Sequence, residues 1–349
     1  FFFFPGVMLK ASLDLRKKRE FKDSIRFTDY TIARYGETLY NIFFKPYTEK
    51  FIRIPCEQVH VDWAVTGIDR AVIDKRVQAN TLGDLVKGIL LPKRVDTEFY
   101  YPKSAGVDTF CRILADKITA AGGKIYTAAT VSELKAEDGT INAAILSNGE
   151  ELPVERLVWS GELHSLGKLT DEGPFKLRYL DMVCYNLAVK GPARYDYQWI
   201  YFGDKRITVN RNTTPHLFNP ANCPDGFHGL NVEITCFEGD GVWRNPEGAL
   251  SSVRKDLLAT KLIGSEKDIQ EIWIEKVRNT YPIYDLSYRE NLDKAVQAFS
   301  QYSNLMLLGR CGTFWYNNMD HSMKMAMDYA EHILTGRELA GKDAYYAVK

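Results

Sequence analysis

The stretch from Gly106 to Gly161 constrains the fold most, because a helical period gives way there to a strand period within a few residues. In SAGVDTFCRILADKITAAGG the apolar residues Val107, Phe110, Ile113, Leu114 and Ile118 stand at helical spacing. Gly122-Gly123 then offers a helix stop that tolerates left-handed backbone. The next segment, KIYTAATVSELKAEDGTINAAILSNGEEL, reads as short strands punctuated by a hairpin at Glu137-Asp138-Gly139 and a second turn at Asn148-Gly149. A last apolar strand, RLVWSG, breaks at Ser160-Gly161. A helix, a strand meander and a further apolar strand make an α/β arrangement.

The flanking segments differ in character. Residues Met8 to Thr97 are dominated by helical periodicity, with the interleaved charges of LDLRKKREFKDS forming a solvated face. Within them Tyr35, Tyr40, Phe43, Phe44, Tyr47 and Phe51 read as the core stripe of packed helices. Pro46 and Pro55 mark expected helix stops or kinks. From Leu180 to Phe237 the pieces MVCYNLAVK, YQWIYFG, RITVNRN and LNVEITCFEG alternate and carry aromatic and β-branched residues, as an antiparallel sheet in a separate lobe requires. A helix follows from Asn245 to Leu262, with Pro246 near its first turn, and IQEIWIEKVRNTYPIYD reads as a strand running into a loop. The expected organisation is a helical region over 1–100, an α/β segment over 101–170, a β lobe with a helix over 171–285 and a carboxy-terminal segment with a final helix over 286–349.

Lys plus Arg and Asp plus Glu each number 45, so no global field recruits nucleic acid, anionic membrane or a polyanion, and any anion site must be local. The six cysteines, Cys56, Cys111, Cys184, Cys223, Cys236 and Cys311, include no C-x-x-C pair and read as small buried hydrophobes in a reducing, cytoplasmic setting. The six histidines hold no H-E-x-x-H, so no metal site is expected. No run approaches the roughly 20 apolar residues of a membrane span. The opening FFFFPG is too short for a signal peptide and reads as cut from something longer. Neither G-x-G-x-x-G, G-x-x-x-x-G-K-[ST] nor G-x-S-x-G occurs; Gly239-Asp240-Gly241 is followed by Arg244 where the third glycine belongs.

The chemistry therefore concentrates in GRCGTFWYNNMDHSM, Gly309 to Met323. An apolar strand, Leu305 to Leu308, ends on Gly309 and feeds a helix expected to start near Met319. Such a helix start presents unpaired N–H groups and a positive dipole end to an anion or an electron-rich ring edge. Gly309 and Gly312 permit close backbone approach, Arg310 adds a fork suited to phosphate, and Asp320 suits a capping role. The same residues equally describe a strand-to-helix connection whose Asp caps and whose aromatics pack.

GRCGTFWYNNMDHSMKMAM resembles the carboxy-terminal flavin motif of the FAD-dependent superfamily that includes amine oxidases, protoporphyrinogen oxidase and UDP-galactopyranose mutase. The Y-x-x-M-D form, Tyr316 to Asp320, is most similar to the mutases. YYPKSAGVDTFCRILADKITAAGGKIYTAATVSELKAEDGTI, VWSGEL, ARYGETLYNIFFKPYTEKF and YPIYDLSYRENL resemble further family segments in collinear order. The resemblance implies a three-layer FAD/NAD(P)-binding-like domain of mixed α/β class with an antiparallel β substrate lobe and a helical region. The family's opening βαβ unit has no counterpart here, which implies a truncated chain or a site that has lost its ADP half. The implied cofactor is FAD. Val131, Ser160 and Gly161 would serve the nucleotide side, Gly309 and Arg310 the pyrophosphate or ribityl chain, and Asn318, Met319 and Asp320 the isoalloxazine and final helix start.

The resemblance also implies an oxidoreductase that presents a small-molecule substrate for hydride transfer to flavin N5. A mutase acting on a nucleotide sugar, with Arg211 and Arg244 as paired diphosphate forks, is the alternative; a non-catalytic remnant is a third. Tyr316, Arg211 and Tyr284 are the catalytic candidates, with Trp199 and Tyr201 also turned toward the flavin by analogy.

Overall fold

The computed structural model describes residues 10–11, 13–14, 24–68, 100–103, 106–337 and 339. The opening FFFFPG, most of LDLRKKREFKDS and residues 69–99 lie outside them. The described stretch 24–68 holds helix α1 (Phe27–Leu39), a π-helical turn (Tyr40–Phe44) and helix α2 (Lys45–Ile52). Pro46 does not break this run. It occupies the first turn of α2, where its missing N–H leaves no bond unmade, and the kink falls instead at Gly36, whose φ of +83° only glycine adopts freely. α2 ends on Arg53 in the left-handed region, and Pro55 follows, as a helix stop should.

Helix α3 (Asp108–Ala120) closes at Gly122, φ +87°, and the meander β1 (Val131–Glu137), β2 (Thr140–Leu146) and β3 (Glu151–Pro153) forms an antiparallel sheet. Asp138 and Gly139 both take positive φ in the first hairpin, the geometry this dipeptide favours. The apolar stripe of α3 is open: Phe110, Ile113, Leu114 and Ile118 are 38–49% exposed, because no described element lies against that face.

After β4 (Leu157–Trp159) and α4 (Leu163–Leu169), the chain enters a five-stranded antiparallel sheet of order β6-β7-β8-β5-β9. Its strands are β5 (Tyr179–Lys190), β6 (Trp199–Tyr201), β7 (Arg211–Thr213), β8 (Phe227–Cys236) and β9 (Ile269–Pro282). One face packs Val183, Tyr185, Leu187, Val232 and Ile234 against Val253 and Leu257 of a helix inserted between β8 and β9; that helix follows α5 (Gly241–Arg244) and is α6 (Leu250–Ala259). The alternation of a strand sends Cys184, Glu233 and Thr235 to the other face, where α2 lies and the Thr235 hydroxyl donates to Phe51 O at 2.7 Å.

Helix α7 (Tyr288–Phe299) leads to β10 (Leu305–Leu307), which pairs in parallel with β4, Leu305 opposite Leu157 and Leu307 opposite Trp159. The short turn α8 (Gly309–Gly312) and the long helix α9 (Met319–Thr335) complete the fold. The main core joins Phe27, Phe51, Trp63, Leu163, Leu180, Tyr284 and Phe314, side chains distant in sequence. The six cysteines are all free thiols; Cys56, Cys184 and Cys236 are buried as expected, but Cys111 is exposed because it rides on the uncovered α3. Among the described residues no helix is long and apolar enough to cross a membrane, and none group three metal-ligating side chains.

Candidate functional site

The ends of the two parallel strands meet at the turn on which the sequence reading centred. Leu308 N donates to Trp159 O at 3.0 Å, extending the β4–β10 ladder to the last residue before Gly309. Gly309 takes φ +72°, and a Cβ there would stand 3.5 Å from the Ser160 Cβ. At Gly312 the approach is tighter still: a Cβ would lie 2.4 Å from Trp159 O and 3.1 Å from the Ser160 Cα. Gly312 thus permits close approach of backbone to backbone, and Gly309 supplies the left-handed turn beside Ser160. Ser160, Gly161, Gly309 and Gly312, from segments about 150 residues apart, form one cradle at the carboxyl ends of two parallel strands, the place where open α/β sheets receive ligands.

Beyond the turn α9 starts at Met319, where the sequence placed it. Asn318, Met319 and Asp320 are exposed at the start of a 17-residue helix; the Asn318 side chain caps the His321 amide, and the Met319 and Asp320 amides have no intrahelical partner. Asp320 does not act as the cap: its side chain is 75% exposed and sits 3.2 Å from His321. His321 reaches back instead, its Nδ1 accepting from Asn318 N at 3.3 Å.

Tyr316 turns inward from the same loop into a cluster of rings. It stacks on Trp63 at 5.4 Å and 14°, and meets Tyr281 edge-on at 5.2 Å. Phe51 joins Trp63 and Tyr281, and Tyr47 bridges Phe51 to Tyr201 at 5.9 Å on each side. Burial raises the hydroxyl pKa of Tyr47, Tyr281 and Tyr316, so these phenols stay protonated and can donate hydrogen bonds at neutral pH. The cluster opens toward solvent at Tyr201, which is 48% exposed.

Two arginines flank the tyrosines. Arg310 sits 5.3 Å from the ring centres of both Tyr281 and Tyr316, and its fork is held by Thr280 O at 2.8 Å and by Asn317 O. Arg211 lies 6.0 Å over the Tyr201 ring and makes a two-point pair with Glu233, 2.8 and 2.6 Å, directly opposite it in the β7–β8 register. Its Nη1 has no hydrogen bond to a described residue and is the part of the fork left for a ligand. Arg244 does not join Arg211: its Nε donates to Gly239 O at 2.8 Å in a separate turn. The arginines that converge on the tyrosines are Arg211 and Arg310.

The other candidates fall in distinct places. Tyr284 is 2% exposed, and its hydroxyl accepts from Tyr316 N at 2.8 Å, so it holds the loop that carries Tyr316. Beneath it Tyr288 and Arg289 both bond Asp62, and His60 lies 3.1 Å from it; burial alone would raise that carboxyl, but His60, Tyr288 and Arg289 hold it below the usual carboxylate range. Trp199 stacks outward on Phe218 at 5.6 Å. Val131 opens β1. Sequence reasoning missed Trp63, Tyr47, Tyr281 and Glu233. The available signal for Glu233 was a carboxylate inside the apolar run LNVEITC; Tyr47 and Phe51 showed only the spacing of a core stripe.

The sequence matches no protein-family model and no curated protein. The structure, by contrast, is similar to that of reduced UDP-galactopyranose mutase, with a TM-score of 0.81 and 18% identity over 98% of this chain and 74% of that one. It is similar to a protoporphyrinogen oxidase-like protein from an Exiguobacterium species, TM-score 0.70 and 12% identity over 96% of this chain and 73% of that one. A putrescine oxidase variant redesigned in cofactor binding gives a TM-score of 0.58 and 12% identity over 96% and 77% of the two chains. The chain therefore shares its fold with those structures, a mixed α/β class with antiparallel sheets.

Proposed function

We propose that the protein is a FAD-dependent oxidoreductase in which the described residues form the ring-facing and substrate-facing walls of the cofactor site. The observation that carries this reading is the cradle: Gly312 packed onto the backbone of the β4 end and Gly309 turned in the left-handed region beside Ser160, next to an exposed helix start and a ring cluster of donors. Those features fit a long, flat, anionic cofactor. Backbone at Ser160, Gly161 and Gly309 leaves room for its phosphate and ribityl parts, with Val131 on the nucleotide side. The first turn of α9 at Asn318, Met319 and Asp320 would turn a positive dipole end toward charge developing on a reduced ring. Bound FAD would supply hydride acceptance at its N5. Tyr316, Tyr281 and Trp63 would exclude water and orient the substrate, and Arg211 would offer Nη1 to an anionic substrate group. Arg310 would fix the Asn317 carbonyl and so the loop carrying Tyr316.

A second reaction, sugar-nucleotide mutation, is favoured by one arrangement: two arginines and four tyrosines, Tyr47, Tyr201, Tyr281 and Tyr316, surround the same space, a donor set suited to a diphosphate. The proposed diphosphate fork is then Arg211 with Arg310.

The test is to purify the product of the complete gene and record its flavin absorbance before and after adding FAD. The expected result is a yellow protein. A colourless preparation that binds no added FAD overturns the reading. Oxygen-dependent turnover then separates an oxidoreductase from a mutase, which would act on UDP-galactopyranose only after reduction with dithionite.

A further inference from the structure

The far end of the large sheet carries a second constellation. Strand β5 runs twelve residues from Tyr179, whose hydroxyl donates to Cys311 O, to Lys190. At about 3.3 Å per residue its ends stand roughly 36 Å apart, so whatever binds near Lys190 is remote from the cradle. A cavity of about 460 Å3 opens there, a size suited to a small metabolite. Lys190, Arg194 and Lys261 line it together with His228, and Val189 and Ile263 give it an apolar side. Among the described residues these three cations form no salt bridge. The nearby Glu266 faces Arg254 at 3.6 Å. Asp268 also borders the cavity, but its Oδ2 accepts from Ser265 N at 2.9 Å and serves that turn.

His228 is the decisive group. It is 2% exposed, and its Nδ1 lies 2.7 Å from Gly191 O. A carbonyl only accepts, so Nδ1 carries the proton and Nε2 is left with a free lone pair or, in the imidazolium, a second donor. That Nε2 is buried and has no partner among the described residues. The Nδ1 of His216, whose ring centre is 6.1 Å away, is in the same condition. An unmade hydrogen bond at a buried polar atom costs about 1–3 kcal/mol, and a ligand that reached Nε2 through the His228 side of the cavity would remove that cost.

We infer that this cavity binds the phosphate group of a small phosphorylated molecule. Lys190, Arg194 and Lys261 supply the charge, and His228 Nε2 accepts from a phosphate hydroxyl or, protonated, donates to a phosphate oxygen. Val189 and Ile263 receive the apolar part of the ligand. The lining carries three fixed cations against one carboxylate, which gives this neutral protein a local anion site.

The test uses the full chain with labelled histidine rings, followed by NMR during titration with inorganic phosphate against chloride at matched ionic strength. The His228 signals are assigned by their loss in His228→Gln. The expected result is a saturable shift of those signals with phosphate and not with chloride, weakened at least tenfold in Lys190→Ala/Lys261→Ala and in Arg194→Gln. These cations are exposed, so the variants keep the wild-type circular dichroism spectrum. A shift that does not saturate, that chloride reproduces, or that persists unchanged in both variants overturns the inference. The outcome is independent of flavin content, so it stands or falls apart from the cofactor reading.

Discussion

Replacing Gly312 by alanine tests the cradle directly. The added Cβ would sit 2.4 Å from Trp159 O and 3.1 Å from the Ser160 Cα, and both are backbone atoms that no rotamer change can move aside. Relief requires the turn to retreat from β4 by about 1 Å, since ordinary carbon contacts begin near 3.5 Å. Such a shift stretches the Leu308 N–Trp159 O bond, now 3.0 Å, beyond useful length. Overpacking of this kind costs about 1–3 kcal/mol and the lost bond about 1 kcal/mol, so the variant should lose about 2–4 kcal/mol. A domain of ordinary stability survives that loss and stays measurable. The assay is urea denaturation by circular dichroism, with Gly239→Ala as control. A Cβ at Gly239 meets nothing within 4 Å and its φ is not in the left-handed region, so the control should stay within about 0.5 kcal/mol of wild type. A Gly312→Ala midpoint equal to the control's would refute the packing of α8 on β4. In the flavin-loaded protein the same retreat opens the gap between Ser160 and Gly309, and flavin retention should fall in step.

Arg211→Met strands the Glu233 carboxylate, 4% exposed, and should cost about 3 kcal/mol, with Glu233→Gln in the same chain restoring part of it; a double-mutant cycle in urea reads the coupling. Tyr316→Phe should leave the unfolding midpoint unchanged, since the backbone N of Tyr316 holds the loop, yet lower turnover of the flavin-loaded enzyme at least about tenfold; unaltered turnover removes its hydroxyl from the chemistry. Burial pushes the thiols of Cys56, Cys184 and Cys236 up to about 12, against 9.0 for a free thiol. Between those values the folded state binds more protons than the unfolded, so the stability these thiols contribute is complete below pH 9.0 and is lost as pH rises toward 12, by up to about 1.4 kcal/mol per unit per thiol. Urea midpoints should therefore fall above that threshold, and less steeply in Cys184→Ala/Cys236→Ala.

The elements legible in the sequence are those fixed by local chemistry. Gly122-Gly123, Asp138-Gly139 and Asn148-Gly149 ended or turned the chain where the structure does, because each holds backbone in the left-handed region. The start of α9 at Met319 is legible too, though the group that reaches back to complete it is His321 and not Asp320. Pro46 was misread because its effect depends on register: one turn later it would break a helix, at the first turn it does not. The ring cluster could not be read locally. Trp63, Tyr281 and Tyr316 touch only through tertiary packing, and nothing in a window around any of them distinguishes a cage wall from a core residue. The pairing of Arg211 with Glu233 likewise depends on a register between two strands joined by a long irregular segment.

That difference has a mechanical consequence for the site. Its walls come from α2, the segment after it, the β7–β8 edge, the end of β9 and the α8–α9 loop, and each wall is tied to another by a side chain bonding a distant backbone. The Tyr284 hydroxyl holds Tyr316 N, Arg310 joins Thr280 O to Asn317 O, and Thr235 holds Phe51 O. The Lys50 ammonium gathers Phe202 O and Val209 O at 2.6 and 2.7 Å, clamping the loop between β6 and β7 onto α2. Bonds from charged groups to carbonyls contribute about 1.5–3 kcal/mol each, more than neutral ones, and here they cross between segments rather than within them. Removing any one therefore separates two walls. Lys50→Met should disturb the Tyr47–Tyr201 contact although neither ring is touched, and the readout is the near-ultraviolet circular dichroism of the tyrosines with the far-ultraviolet signal unchanged.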